Sequence, residues 1–335
     1  MTDLSTTPGM SIINYATAIN HAMAEEMQRD PLVWILGQDV GRMGGVFGVT
    51  RGLYDQFGPS RVRDTAINET LIIGAAVGAA IAGTVPIAEL QFADFMFVAG
   101  DEIFDKLAKW RYMHGGRLSV AAVVRAPTGI MGGVGAEHSQ SLEALCMHVP
   151  GLKVVLPSNP ADAKGLLKTA IRDPNPVIFF EHKGMYRVKG LVPDDPEFLV
   201  PFGEAAIRRT GDAATVIATG MMVDRTLAAA EILAGEGHEV EVIDPRTLVP
   251  LDMATILASV ERTGRAMVVH EAVRTGGAGA EIASRIHEEL FFSLEAPVWR
   301  LGAIDSPIPQ DPELEQFCVP QTEGITNALR ELIKI

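Results

Sequence analysis

Apolar positions along this chain recur with two periods, and the changes between them mark its elements. Over residues 11–29, Ile12, Ala16, Ile19, Met23 and Met27 fall three and four apart, which predicts a helix stopped at Asp30-Pro31. Short runs rich in apolar and β-branched residues at 33–36, 85–90, 119–124, 153–156 and 177–181 predict strands. Between them, 97–113, 139–148 and 161–172 have helical spacing. Alternating strands and helices predict a mostly parallel sheet, with functional residues on loops that leave the carboxyl ends of its strands.

One stretch departs from both periods. Residues 64–83, DTAINETLIIGAAVGAAIAG, set one carboxylate, Glu69, at the head of a long run, 70–83, that carries no charge. An apolar run without a polar break predicts a helix buried on all sides. Asp64, Thr65 and Asn68 supply N-cap chemistry just before it. Glu69 then has two readings. It is either a capping acid for the first-turn N–H groups, or an acid entering the interior, which needs a partner to offset its burial.

A second alternating segment follows residues 183–201, where Lys183, Arg187 and Lys189 give way to the proline-punctuated VPDDPEFLVP; this reads as a linker. Strands are expected at 214–218, 239–243, 266–270 and 298–301, and helices at 223–234, 253–261, 278–290 and 322–333. Three parts result: a first α/β domain over 1–190, a linker at 191–202 and a second α/β domain over 203–335.

The chain's 335 residues carry a net charge of -14, which argues against nucleic acid or a membrane surface as partner. Its two cysteines, Cys146 and Cys318, are far apart, so neither a disulfide framework nor a thiolate metal site is expected. MTDLSTTPG has no apolar core of a leader, and the chain reads as cytoplasmic. Two glycine-rich loops stand out. GRMGGVFGVTRG at 41–52 has no phosphate-binding fingerprint and reads as a mobile or interface loop. The loop at 129–135 delivers Glu137 and His138, and lacks the third glycine of a dinucleotide motif.

Several blocks, in order, resemble one family: DTAINE, QFADF, HSQSLEALCMHVPGLKVVLPSNPADAKGLL, IRDPNPVIFFEHK, VIDPRTLVPLD and HEAVRTGGAGAEIA. Together they are similar to the β subunit of the thiamine-diphosphate-dependent decarboxylase component of 2-oxo acid dehydrogenase complexes, over nearly the whole chain. The resemblance implies a pyrimidine-binding thiamine-diphosphate domain with a mostly parallel sheet, followed by a transketolase C-terminal-like α/β domain. It also implies an α2β2 heterotetramer, whose α subunit holds the diphosphate and Mg²⁺ through a GDG…N motif that this sequence lacks.

On this resemblance Glu69 is the acid that hydrogen-bonds the aminopyrimidine ring, so that the thiazolium carbon can attack a 2-oxo carbon. Ile67, Gln91 and Phe95 border the same ring, with plain core packing as the other reading of Phe95. His138 matches the histidine that assists reductive acylation of a lipoyl group on the acyltransferase core, against the reading of a loop histidine bonded to backbone. Asp173 and Asn175, with carbonyls of Ala122, Ala170 and Ile171, match a structural K⁺ site; an Asx-turn explains the same two side chains. His114, His148 and His270 read as structural.

Ala66 and Asn68 depart from the Pro and small residue usual before the glutamate. QFADF and RTGGAGAEI lean toward branched-chain members, GGVFGVTRGLYDQF toward acetoin-cleaving ones, so the oxo acid stays open. A further reading is a mainly scaffolding subunit that docks the acyltransferase through Asp305, Asp311, Glu313 and Glu315.

Overall fold

Asn14 decides where the first helix starts. Its side chain accepts the Thr17 N–H at 2.7 Å, so α1 (Tyr15–Arg29) begins later than the apolar spacing suggests. The residues before it form β1 (Met10–Asn14), antiparallel to β8 (Lys189–Pro193). Part of the expected linker is therefore a strand. Short-range periodicity could not register a pairing between such distant segments.

The computed structural model describes residues 8–335. The expected lack of a leader concerns residues 1–7 in part, and these lie outside the described residues. Among the described residues no helix is long and apolar enough to cross a membrane. The chain divides into two units, Met1–Thr128 with Leu145–Phe202, and Gly129–Ala144 with Gly203–Ile335. The second glycine-rich loop thus groups with the C-terminal part.

In the first unit the elements run β2 (Val33–Gln38), α2 (Leu53–Phe57), β3 (Val62–Thr65), α3 (Glu69–Ile81), β4 (Val85–Glu89), α4 (Ala108–Met113), β5 (Val123–Thr128), α5 (Glu143–Met147, its first two residues counted with the second unit), β6 (Lys153–Val155), α6 (Pro160–Arg172) and β7 (Val177–His182). Six strands pair in parallel in the order β6-β7-β5-β4-β2-β3. The helix expected over 97–113 is replaced by a 3₁₀ turn at Ala93–Phe97, a π-helical turn at Glu102–Leu107, and α4. β5 starts later than expected and runs through Pro127, which pairs with Glu181.

The second unit is built from β9 (Ala206–Arg209), β10 (Ala214–Ala218), α7 (Met222–Ala234), β11 (Val240–Asp244), β12 (Thr247–Val249), α8 (Met253–Thr263), β13 (Ala266–Val273), α9 (Ala278–Leu290), β14 (Trp299–Ala303), α10 (Pro312–Cys318) and α11 (Thr322–Ile333). Its five-stranded sheet has the order β14-β13-β10-β11-β9, parallel except for the edge strand β9. Two apolar clusters cover the sheet, one around Val216, Leu233 and Leu329, the other around Ile256, Val268 and Ile286. Both cysteines are free and buried.

Candidate active site

α3 is the element that places the acid. Asn68 is its N-cap, extended at φ -164, and accepts the Leu71 N–H at 2.8 Å. Glu69 is the first helical residue, just past the carboxyl end of β3, where an open α/β sheet presents ligands. Capping therefore falls to Asn68, and the side chain of Glu69 is left for another task. Glu69 is only 8% exposed, yet its carboxylate has no hydrogen-bond or ion-pair partner among the described residues. Its oxygens are not among the fully buried unpartnered atoms, so they keep contact with the surface, where a ligand can reach them.

The helix behind it is not buried on every side. Ile72, Ile73, Ala76, Val77 and Ala80 face the core, whereas Leu71, Ala75 and Gly78 line an open face. Ile67 is 74% exposed and Leu71 52%. Phe97 and Val98 are also exposed, and the Val98 carbonyl accepts from Thr70 Oγ1 at 2.9 Å. An apolar face of this kind beside a buried acid is the signature of a surface meant to be covered.

β4 delivers the aromatic side. Gln91 and Phe95 follow its carboxyl end, both half-buried. Phe95 meets Phe92 edge to face at 5.6 Å, Phe92 meets Phe47, and Phe47 packs on Tyr186 at 5.3 Å. Phe47 lies in the first glycine-rich loop, which is tied down: Thr50 Oγ1 donates to the Val40 carbonyl at 2.7 Å and Asn20 to that of Val49 at 2.7 Å. Gly45, at φ 77, lets Glu89 lie alongside, since a Cβ there would sit 3.0 Å from Glu89 Oε1.

Beneath these residues runs a charge network that the sequence reading passed over. Arg125, fully buried in β5, bonds Glu181 of β7 twice, Nε to Oε1 at 2.5 Å and Nη2 to Oε2 at 2.8 Å. It also pairs with Glu89 of β4. Tyr186 donates to Glu181 Oε2 at 2.8 Å. Burial pushes the Glu89 carboxyl up, against the pull of Arg125, and with Glu181 it raises the Tyr186 phenol. Burial also opposes the charge of Arg125, but Glu181 and Glu89 outweigh it and hold the guanidinium above its usual range. The clue was a charged residue inside each apolar strand run: PIAE, VVRA and IFFE.

His138 belongs to the second unit, half-buried on the loop after Gly135, whose carbonyl accepts its backbone N–H at 3.2 Å. Within that unit the loop walls a cavity of about 820 Å³ whose lining includes Ser139, Gln140, Glu271, Thr275 and Asp305. Nearby Glu143 is buried with Oε2 unpartnered; burial and the Glu271 charge push its carboxyl up to about 7. His270 is the opposite case: burial lowers it to about 4, while its Nδ1 sits 3.0 Å from the Ala272 carbonyl.

Two sequence expectations meet different surroundings. Asp173 Oδ1 accepts both the Asn175 backbone N–H and its amide, Asp173 Oδ2 pairs with Lys153, and Asn175 Oδ1 accepts from Arg111 at 2.7 Å. The side-chain oxygens expected for K⁺ thus have protein partners, in the manner of an Asx-turn. The carbonyls of Ala122 and Ala170 accept the N–H groups of Val177 and Asp173. Of the acids expected to face a docking partner, Glu315 is fully buried and Asp311 caps α10. Apolar spacing gave no cue that α10 exists, so its inner face was read as surface.

Comparison with known proteins follows this geometry. Residues 11–189 match the transketolase pyrimidine-binding domain, and residues 203–325 the transketolase C-terminal domain. The chain is 47% identical to the 2-oxoisovalerate dehydrogenase subunit beta of Bacillus subtilis, over 96% of this chain and 99% of that protein. It is 46% identical to the subunit beta of acetoin:2,6-dichlorophenolindophenol oxidoreductase of Cupriavidus necator, over 95% and 96% of the two chains. Identity is 44% with the mitochondrial pyruvate dehydrogenase E1 component subunit beta-2 of Oryza sativa, over 93% and 84%. A split-gene transketolase, described as an inactive β4 tetramer, shares the fold at TM-score 0.77 and 23% identity, over 96% and 98%.

Proposed function

Because the chain belongs to the transketolase-like family of E1 β subunits of 2-oxo acid dehydrogenases, we propose that it is the β half of such an enzyme. With an α subunit in an α2β2 heterotetramer, it oxidatively decarboxylates a 2-oxo acid and passes the acyl group to a lipoyl group of an acyltransferase component. The observation that carries this reading is Glu69, a largely buried residue whose carboxylate has no partner among the described residues, set at the carboxyl end of a parallel sheet beside an open apolar face.

The residues present fit the aminopyrimidine end of thiamine diphosphate. Glu69 accepts a hydrogen bond from a ring nitrogen, which offsets the cost of its burial, and it holds the proton shared with that nitrogen. Phe95 offers an aromatic surface for the ring to rest on. Gln91 offers an amide, and Ile67 an aliphatic contact. When bound, the cofactor supplies the electron sink that takes the pair left as CO₂ departs. His138 passes a proton at its imidazole during acyl transfer.

The diphosphate and Mg²⁺ are assigned to the α subunit, whose GDG…N motif this sequence lacks. The exposed Ile67, Leu71, Phe97 and Val98 are the surface that subunit covers, closing the site to water. The side-chain oxygens expected for K⁺ are each already engaged by the protein, so an ion here would share them with those partners or rest on the neighbouring carbonyls. Asn68, spent on the Leu71 N–H, acts on the site through the start of α3.

A second substrate reading is acetoin cleavage, favoured by 46% identity to an acetoin oxidoreductase subunit, beside 47% to a 2-oxoisovalerate dehydrogenase subunit. Co-expression with the α subunit, loading with thiamine diphosphate and Mg²⁺, and dye reduction with 2-oxoisovalerate, pyruvate and acetoin tests both. Turnover of an oxo acid supports the main reading, and turnover of acetoin alone supports the second. Turnover of none, by an assembled and loaded heterotetramer, contradicts both.

A further inference from the structure

The loop that carries His138 is held by carboxylates. Its Ile130 N–H donates to Glu271 Oε1 at 2.8 Å. The Gly132 N–H donates to Glu315 Oε1 at 2.7 Å, and the Gly133 N–H to Glu315 Oε2 at 2.8 Å. All these groups lie within the second unit. Successive glycines at φ 100 and 94 turn two neighbouring N–H groups the same way, a concavity that elsewhere binds free anions. Here it is filled by a side chain of α10 that is fully buried.

The fit is tight. A Cβ at Gly133 would lie 2.4 Å from the Gln310 carbonyl oxygen, so the loop rests directly on the backbone before α10. Beyond Gly133 the chain turns through Gly135, at φ 84, and presents His138. Hydrogen bonds to an ionised acceptor in a dry environment are stronger than neutral ones and align the groups they join. A site histidine on a loop needs such support, because a small displacement of a reacting group costs much rate.

We propose that Glu315, assisted by Glu271, is a positioning residue that fixes the glycine-rich loop so that His138 is presented for acyl transfer. The positioning itself is a property of this chain; its consequence for acyl transfer rests on the function proposed above.

The test is Glu315→Gln in the complete heterotetramer. The amide sets an NH₂ donor against one of the two loop N–H donors and removes the charge. Hydrogen exchange over residues 129–142 should speed up at least about tenfold, the scale of a lost hydrogen bond to a charged acceptor. Exchange in α11 should stay as in wild type. Acyl transfer to a free lipoyl domain should fall by more than dye-coupled oxidation does, and Glu315→Asp should recover part of both effects. Unchanged loop exchange would overturn the proposal, whatever the activity. Faster exchange with an unchanged ratio of the two activities would overturn the link to His138. If Glu315→Gln does not fold, Glu271→Gln gives the same exchange readout at Ile130. Failure of the wild-type heterotetramer to turn over any oxo acid would strike the function reading and leave the exchange result standing.

Discussion

Arg125 and Glu181 form a two-point ion pair with no exposure on either side chain, Nε to Oε1 at 2.5 Å and Nη2 to Oε2 at 2.8 Å. Glu89 and Tyr186 complete the set, and the Phe47, Phe92 and Phe95 rings continue from Tyr186 toward the candidate site. The network crosses β4, β5 and β7, the strands whose carboxyl ends carry Gln91 and the surrounding turns.

Arg125→Met leaves two carboxylates buried without their cation. Breaking a buried pair from one side costs about 3–5 kcal/mol. Urea unfolding should show a loss of that size, and Glu181→Gln, which keeps acceptor and donor capacity, should lose less. Equal losses would show that shape rather than charge governs the site.

Glu143 and His270 titrate against each other. With its folded pKa raised to about 7, Glu143 contributes most below about pH 4.5, and the contribution is lost as pH rises toward 7. His270, lowered to about 4, is held neutral; its contribution is intact above about pH 6.5 and is lost as pH falls toward 4. Each effect is on the order of 3 kcal/mol, and the windows overlap. The two effects therefore largely cancel between pH 4.5 and 6.5. Glu143→Gln should melt higher than wild type at pH 7.5 and lose stability on acidification, as His270 is left unopposed. A flat profile in that variant would contradict the assignment.

The open apolar face predicts an assembly defect without a folding defect. Leu71 is 52% exposed, so Leu71→Glu should leave the unfolding free energy of the isolated chain within about 0.5 kcal/mol of wild type. Co-purification with the α subunit should fail. Normal assembly would show that this face is not the one covered.

Replacing K⁺ by choline separates the two readings: unchanged melting means that Lys153, Arg111 and the Asp173–Asn175 contact satisfy this turn on their own. A fall in melting temperature restored by K⁺ alone would place an ion on the neighbouring carbonyls.

Much of the architecture was legible because its forces are local. α6, α7, α9 and α11 carry helical spacing, and Asn159 caps α6 by accepting the Asp162 N–H at 2.9 Å. What was not legible depends on distant partners. β1 is a strand because β8 lies beside it, and Glu315 is interior because the loop at Gly132 needs an anion. Glu69 stands out because one acid heads an uncharged run, and the resemblance gives it a role that the run alone leaves open. Arg125 was passed over although the same rule applies within its strand, where an unpaired charge would be untenable.

The central claim is that the Glu69 carboxylate is kept for a ring nitrogen of the cofactor. Its most direct test is turnover of the heterotetramer with Glu69→Ala, alongside calorimetric titration of thiamine diphosphate. The expected result is intact assembly, weaker cofactor binding, and turnover reduced at least about a hundredfold, the scale of a lost proton-transfer group. Turnover and binding equal to wild type would contradict it.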